Sequence, residues 1–298
     1  MKNTRISRRV AILAAASLAF LAACGGGDTK STDTTVAASP GNGKKILSLS
    51  PTATEMIYAI GAGDQVVAVD SLSNFPAEAS DKVTKISAFE PNAEAILGYS
   101  PDIVLISNDM NKITEQLKKA KPDIVVWTGA MASTLDDTYA QITDLGAVTG
   151  HEDEAAKLVE SMKMDIATAT QGVTAPAGAK YYYELDNTFY SLTSKTFVGS
   201  LLASTGITNI ADDVEAGNDW PQLNAESIVK ANPSVIFLAD TKCCKQDAKA
   251  VTARAGWDGI DAVKNNHVVE LDDDIASRWG PRVVDLVKQM VEAIKSLG

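Results

Sequence analysis

The chain has 298 residues, which suggests two domains; 45% are hydrophobic and 22% charged, the balance of a folded protein rather than a disordered one. Lys and Arg total 27 against 38 Asp and Glu, and the formal charge of -11 argues against a nucleic-acid partner, which would call for a basic stripe. Three Cys and two His are too few for a disulfide scaffold or a His-rich metal site, and the longest apolar run lies at the extreme N-terminus, which excludes a polytopic membrane protein.

Lys2, Arg5, Arg8 and Arg9 precede an apolar run from Val10 to Ala23 that is broken only by Ser17. A basic segment followed by an apolar stretch too short to span a bilayer is the pattern of a secretory signal. Leu21-Ala22-Ala23-Cys24 resembles the lipobox of bacterial lipoproteins. The resemblance implies that residues 1–23 are a signal peptide and that Cys24 is lipidated, anchoring the protein to the cell membrane outside the cytoplasm. An ordinary signal with a chance Cys is the alternative. Losing four basic residues leaves 23 against 38 acidic ones, near -15. Residues 24–43, rich in Gly, Ser, Thr, Asp and Ala, read as a flexible tether. Export also argues against an ATP-dependent enzyme.

From Lys44 onward, β-branched runs alternate with helical patterns. Ile46 to Leu49 reads as a strand. A helix follows, with Ser50 as cap and Pro51 at its first position, or with Thr52 and Glu55 as a capping box, and it ends near Gly61. Strands are expected at Val66–Val69, Ile103–Ile106 and Ile124–Trp127, with helices at Ala93–Tyr99 and Met110–Lys121. His151 to Thr170 is the longest uninterrupted helical pattern, with apolar residues at Ala155, Leu158, Val159, Met162, Ile166 and Ala169. Alternation then resumes: a strand at Lys180–Leu185, helices at Phe197–Ser204 and Ala225–Ala231, a strand at Val235–Ala239 and a terminal helix at Arg282–Leu297. The fold class is therefore α/β. Two lobes with mostly parallel sheets, residues 44–150 and 172–298, are bridged by one long helix at residues 151–171, with a ligand cleft between them.

The lobes repeat a pattern. Asn92-Ala93-Glu94 leads to Pro101 and a buried strand, and Asn224-Ala225-Glu226 leads to Pro233 and another, with the same spacing from Glu to Pro. Each Asn can cap a short helix whose first turn carries the Glu.

Ser50-Pro51-Thr52-Ala53-Thr54-Glu55, the two Asn-Ala-Glu helices and Trp220-Pro221-Gln222 resemble the helical-backbone class of ABC-importer binding proteins, which bind cobalamin, haem and iron-siderophores. The segment holding Asp274, Arg278, Pro281 and Arg282 is similar to the tail of the cobalamin-binding member, although Ile275 and Ala276 stand where bulky aromatics are expected. The resemblance implies a monomeric solute-binding lipoprotein that performs no chemistry. It needs no cofactor or metal of its own beyond the cobalt or iron a ligand brings, and its partners are a permease and its ATPase. It also implies that Glu94 and Glu226 dock on permease arginines, with Glu90 as second choice.

A large planar ligand needs aromatic walls and a few fixed polar groups. Phe89, Tyr190, Trp220 and Trp279 are the candidate walls, while Tyr181, Tyr182 and Tyr183 are expected to alternate between core and solvent along their strand. Arg278 and Arg282, two of only three arginines beyond the signal, suit an anionic group, and Asp274 either lines the cleft or holds Arg278. Cys243 and Cys244 are read as a vicinal disulfide, with reduced thiols or a soft-metal pair as alternatives. His151 begins the long helix and His267 ends at a strand edge. A corrinoid is the first ligand expected, a ferric siderophore the second and haem the third. An exported enzyme would need a convergent nucleophile and base, which the sequence does not offer, and an adhesion or scaffold lipoprotein would bind no small molecule tightly.

Overall fold

The computed structural model describes residues 43–298. The expected signal segment 1–23, lipidation at Cys24 and all but the last residue of the tether lie outside the described residues. The first lobe contains β1 (Ile46–Leu49), α1 (Pro51–Ala59), β2 (Val66–Val69), α2 (Ala77–Ser80), α3 (Ala93–Leu97), β3 (Ile103–Ile106), α4 (Ile113–Ala120), β4 (Val125–Thr128) and α5 (Leu135–Thr149). Then α6 (Glu152–Thr170) leads to the second lobe. That lobe contains β5 (Lys180–Glu184), α7 (Phe197–Leu201), β6 (Thr208–Asn209), α8 (Ala225–Ala231), β7 (Val235–Leu238), α9 (Ala248–Thr252), α10 (Asp261–Lys264), β8 (Val268–Glu270), α11 (Asp273–Ala276) and α12 (Val283–Lys295).

Each lobe is built on a four-stranded sheet, in the order β2-β1-β3-β4 and β6-β5-β7-β8. Every pairing within the two sheets is parallel. The second sheet thus repeats the order of the first, as the Asn-Ala-Glu repeat implies. Asn92 accepts the backbone N–H of Ala95 at 2.9 Å and Asn224 that of Ser227 at 2.9 Å, so both asparagines cap as expected. The four residues of β3 and of β7 are all buried, because strands covered on both faces carry unbroken apolar runs. The same cover buries Tyr181, Tyr182 and Tyr183 together, against the expected alternation. Tyr181 and Tyr183 face the central core and Tyr182 packs on the opposite side against Trp257.

At α1, Ser50 is the cap, accepting from the Ala53 N–H at 3.3 Å with Pro51 at the first position. Thr52 and Glu55 form no capping box, since both lie inside the helix. The Met110–Lys121 pattern resolves into a short 3-10 turn followed by α4, because Asn111 and Lys112 adopt φ of 56° and 55°. The sequence pattern gave no warning of α5. It opens on a capping box between Thr134 and Asp137 and ends on Gly150 at φ 77°, a left-handed position where glycine carries no Cβ penalty. Gly146 lets α6 approach closely, since a Cβ there would sit 2.6 Å from that of Ala155.

The interlobe helix α6 packs on α5 of the first lobe and on α12 of the second. One core cluster runs through both lobes, joining Ile46, Met56 and Leu105 to Tyr181, Phe237, Val287 and Met290. Separate clusters close the outer face of each sheet. Opening the lobes widely would expose this shared core at about 25 cal/mol for each Å² of apolar surface, so the architecture resists hinge motion. Among the described residues no helix is long and apolar enough to cross a membrane.

Candidate ligand cleft

Parallel strands place their following loops at one edge of the sheet, and ligands of open α/β folds bind there. A cavity of about 230 Å³ lies between the two sheets at that edge. Met131 and Ser133 after β4 form one wall, with Leu185 after β5, Phe197 at the start of α7 and Trp220 opposite, and Ala276 to Trp279 complete it.

Trp220 is 44% exposed and is held by a short antiparallel ladder. The Ser191 N–H donates to the Pro221 carbonyl at 2.9 Å, Thr193 N–H to Asp219 at 2.9 Å and Leu223 N–H to Phe189 at 3.0 Å. Trp279 is fixed by donating its indole N–H to Gln141 Oε1 on α5 at 3.0 Å. Of the four candidate aromatics, the cavity therefore unites Trp220 and Trp279 only. Tyr190 sits on the same ladder, bridged to Gln222, but its exposed ring is not part of the cavity wall. Phe89 is 65% exposed and borders a separate cavity of about 90 Å³ at the edge of the first sheet.

The two arginines do not present free guanidiniums to the cleft. Arg278 Nη1 donates to Glu55 Oε1 at 2.8 Å and Asn74 Oδ1 at 2.9 Å, and its Nη2 to the Leu72 carbonyl at 3.0 Å and Asp274 Oδ1 at 2.9 Å. Arg282 donates its Nε to Glu55 Oε2 at 2.8 Å and its Nη2 to Oε1, with its guanidinium 4.1 Å above the Phe75 ring. Glu55, a single carboxylate on the buried face of α1, is thus the centre of the cluster, which straps the segment after β8 onto the first lobe. The sequence offers Glu55 only as one half of an alternative capping box, with no ion-pair role. The available signal was the one charged residue inside an otherwise uncharged helix, with two scarce arginines left to pair.

Asp274 indeed holds Arg278, and accepts in addition from Asn74 at 3.1 Å and Lys242 at 2.9 Å. Burial raises its carboxyl pKa, but these hydrogen bonds and the charges of Lys242 and Arg278 outweigh burial and hold it below the ordinary value. Arg278 borders the cavity but is matched by these acids, and the wall further carries Lys195 and Asp219, so the lining is close to electrically balanced. Arg254, the third arginine, lies elsewhere, paired through both Nη atoms to buried Glu184 and stacked 4.6 Å from the Trp257 ring centre.

Cys243 and Cys244 carry free thiols, which corrects the disulfide reading. Adjacent Cα atoms across a trans peptide lie 3.8 Å apart, short of the usual disulfide span of about 4.4–6.8 Å. The loop is pinned instead by backbone bonds, Cys243 N–H to Asp273 Oδ2 at 2.8 Å and Cys244 N–H to the Asp240 carbonyl at 3.2 Å. His151 precedes α6 and is buried, with Nδ1 3.1 Å from the Thr149 carbonyl, and His267 leads into β8; neither joins the cleft.

Glu94 and Glu226 are both exposed, each in the first turn of a helix that returns toward its lobe's third strand. Crossover helices run antiparallel to the strands they connect, so both first turns sit at the cleft edge of their sheets.

A protein family described as Periplasmic binding protein matches residues 46–275. The chain is 34% identical over 274 residues to an uncharacterized ABC transporter substrate-binding lipoprotein, YvrC, of Bacillus subtilis, covering 90% of this chain and 84% of that one. It is 28% identical to a cobalamin-binding protein of Halobacterium salinarum, over 84% of this chain and 69% of the relative. The crystal structure of the periplasmic vitamin B12 binding protein BtuF of Vibrio cholerae superposes with a TM-score of 0.68 at 26% identity, over 87% of this chain and 98% of that one. Matched across both sheets and the helix between them, the chain belongs to the periplasmic binding protein family.

Proposed function

We propose that this protein is the extracytoplasmic substrate-binding component of an ABC importer, and that its cargo is a corrinoid. The observation that carries the ligand choice is the cleft wall. Two indoles with Met131 and Phe197 offer a broad apolar surface, while the neighbouring arginines are already matched by Glu55 and Asp274. Such a site suits a large, amide-rich, nearly neutral ring system better than a highly anionic ferric chelate, which would meet Lys195 as the one wall cation not paired with a carboxylate among the described residues. The cobalamin- and vitamin B12-binding relatives support the same choice.

In this reading Cys24 carries the lipid anchor, and Glu94 and Glu226 are read by permease arginines once cargo is held. A rigid interlobe helix implies modest closure on binding rather than a wide swing. Titrating the purified domain with cyanocobalamin, a ferric siderophore and haem, with tryptophan fluorescence as readout, tests the ligand. Saturable quenching by cyanocobalamin at micromolar concentration or below is expected, and quenching by the siderophore or haem alone would replace the corrinoid. Glu94→Ala combined with Glu226→Ala should abolish cellular uptake while leaving affinity intact; lost affinity would refute the docking role.

A further inference from the structure

The small cavity beside Phe89 contains a feature that the interlobe cleft does not use. Its wall is largely apolar, from Leu49, Ile106, Ile113 and Phe89, yet it includes Asp70, which is 1% exposed. Oδ1 of Asp70 accepts the backbone N–H groups of Leu72 at 3.2 Å and Ser73 at 2.9 Å. Oδ2 is buried and has no hydrogen-bond partner.

The carboxylate cannot easily turn to find one. Arg278 pins the turn by donating to the Leu72 carbonyl at 3.0 Å, and the Ser73 hydroxyl lies 2.9 Å from Thr54 Oγ1, whose own proton goes to Ser48 Oγ at 2.9 Å, so the Ser73 proton is turned to Thr54. Burial holds the Asp70 carboxyl pKa above its ordinary value, and the Ser73 and Leu72 bonds with the charge of Arg278 offset only part of that rise. A buried acceptor fixed in this state carries a desolvation cost that a donor arriving from outside would relieve. The cavity holds about 90 Å³, room for a group of roughly three water volumes. Asp70 follows β2 at the same sheet edge as the interlobe cleft, and Arg278 touches both the Asp70 turn and the cleft wall.

We propose that this cavity is a subsite for a hydrogen-bond-donating arm of the cargo, a primary amide or primary ammonium on a short apolar stem, received by Asp70 Oδ2. It rests on the reading of the protein as a binding protein, and the acetamide and propionamide arms of a corrin ring fit it. A carboxylate arm would be rejected by Asp70, so the subsite selects amide over acid.

Asp70→Asn tests this directly. The amide oxygen can keep the turn's two N–H bonds, which leaves an NH2 donor where Oδ2 stood. Wild type and variant are titrated with cyanocobalamin and with dicyanocobyrinic acid, whose ring arms are carboxylates. The variant should bind cyanocobalamin about tenfold more weakly, and its preference over the acid should shrink by a similar factor. Unchanged affinities in a folded variant overturn the proposal. Ala88→Leu, which adds bulk to the cavity wall and leaves the Asp70 carboxylate chemically unaltered, should produce the same loss of cyanocobalamin affinity and covers the case where Asp70→Asn fails to fold. If the wild type binds neither corrinoid, the ligand reading fails separately. The subsite is then read by NMR titration with acetamide and methylammonium. Saturable shifts at the Leu72 and Ser73 amides, absent in Ala88→Leu, support it, and no shift refutes it.

Discussion

Removing Glu55 is the sharpest perturbation of the strap between the lobes. Its side chain is 2% exposed and accepts from two guanidiniums whose side chains are 9% and 17% exposed. Glu55→Ala strands both positive charges in a poorly hydrated site, a class of change costing about 3–5 kcal/mol. Arg278 retains Asp274, Asn74 and the Leu72 carbonyl, and Arg282 retains its stacking on Phe75, so the lower end applies, about 3 kcal/mol. At roughly 2–4 °C per kcal/mol for a chain of this size, Tm should fall by about 6–12 °C in scanning calorimetry. Glu55→Gln should fall between, keeping the shape without the charge. Adding Arg278→Met and Arg282→Met to Glu55→Ala should recover part of the loss, because the stranded charges go too. The deficit should persist in 0.5 M salt, since buried pairs are little screened. A Tm within about 2 °C of wild type would show that the cluster does not hold the lobes together.

Trp220→Ala should weaken cyanocobalamin binding by about 10–30-fold, as for an aromatic anchor, with Tm nearly unchanged because the ring is half-exposed; unaltered affinity would remove Trp220 from the site. Asp240 is fully buried, and desolvation together with the neighbouring Glu184 carboxylate pushes its carboxyl up to about 7. The native state then holds a proton that the unfolded chain has released, so this contribution is complete below about pH 4 and is lost as pH rises through about 7. Asp240→Asn mimics the protonated acid. Between pH 5 and 8 the wild type should therefore lose about 2 kcal/mol more stability than the variant, and parallel Tm profiles would contradict the assignment. Burial and the adjacent Cys244 push the Cys243 thiol up to about 12. A domain beginning at Lys44, which lacks Cys24, should titrate as two free thiols when denatured, and native Cys243 should alkylate at pH 8 well below the rate of a simple thiol despite its exposure. A count of zero thiols would restore the disulfide.

The cleft was half legible in the sequence. Trp220 and Trp279 announced themselves as rare, large side chains next to Pro and Gly turns, and the structure brings them to one cavity. Phe89 and Tyr190 carried the same chemical signal, yet their loops place them elsewhere, because an aromatic's position depends on a loop path that residue type does not encode. The arginines were misread for a related reason. A guanidinium near an acidic run looks available until the chain folds and a carboxylate 223 positions away reaches it. Asp70 was invisible for want of any local mark, since an orphaned oxygen is a property of the packed surroundings.

Local chemistry determined many of the elements by itself: Ser50-Pro51 and the two Asn caps start their helices, unbroken apolar runs make buried strands, and the Asn-Ala-Glu repeat doubles the lobe. Each of these depends on hydrogen bonds and burial patterns closed within a few residues. Tertiary structure alone decided that the inner faces of both sheets share one core along α6, that Glu55 collects Arg278 and Arg282, and that three consecutive tyrosines are all buried. Those outcomes turn on which surfaces meet, and the free energy of that meeting comes from residues far apart in the chain.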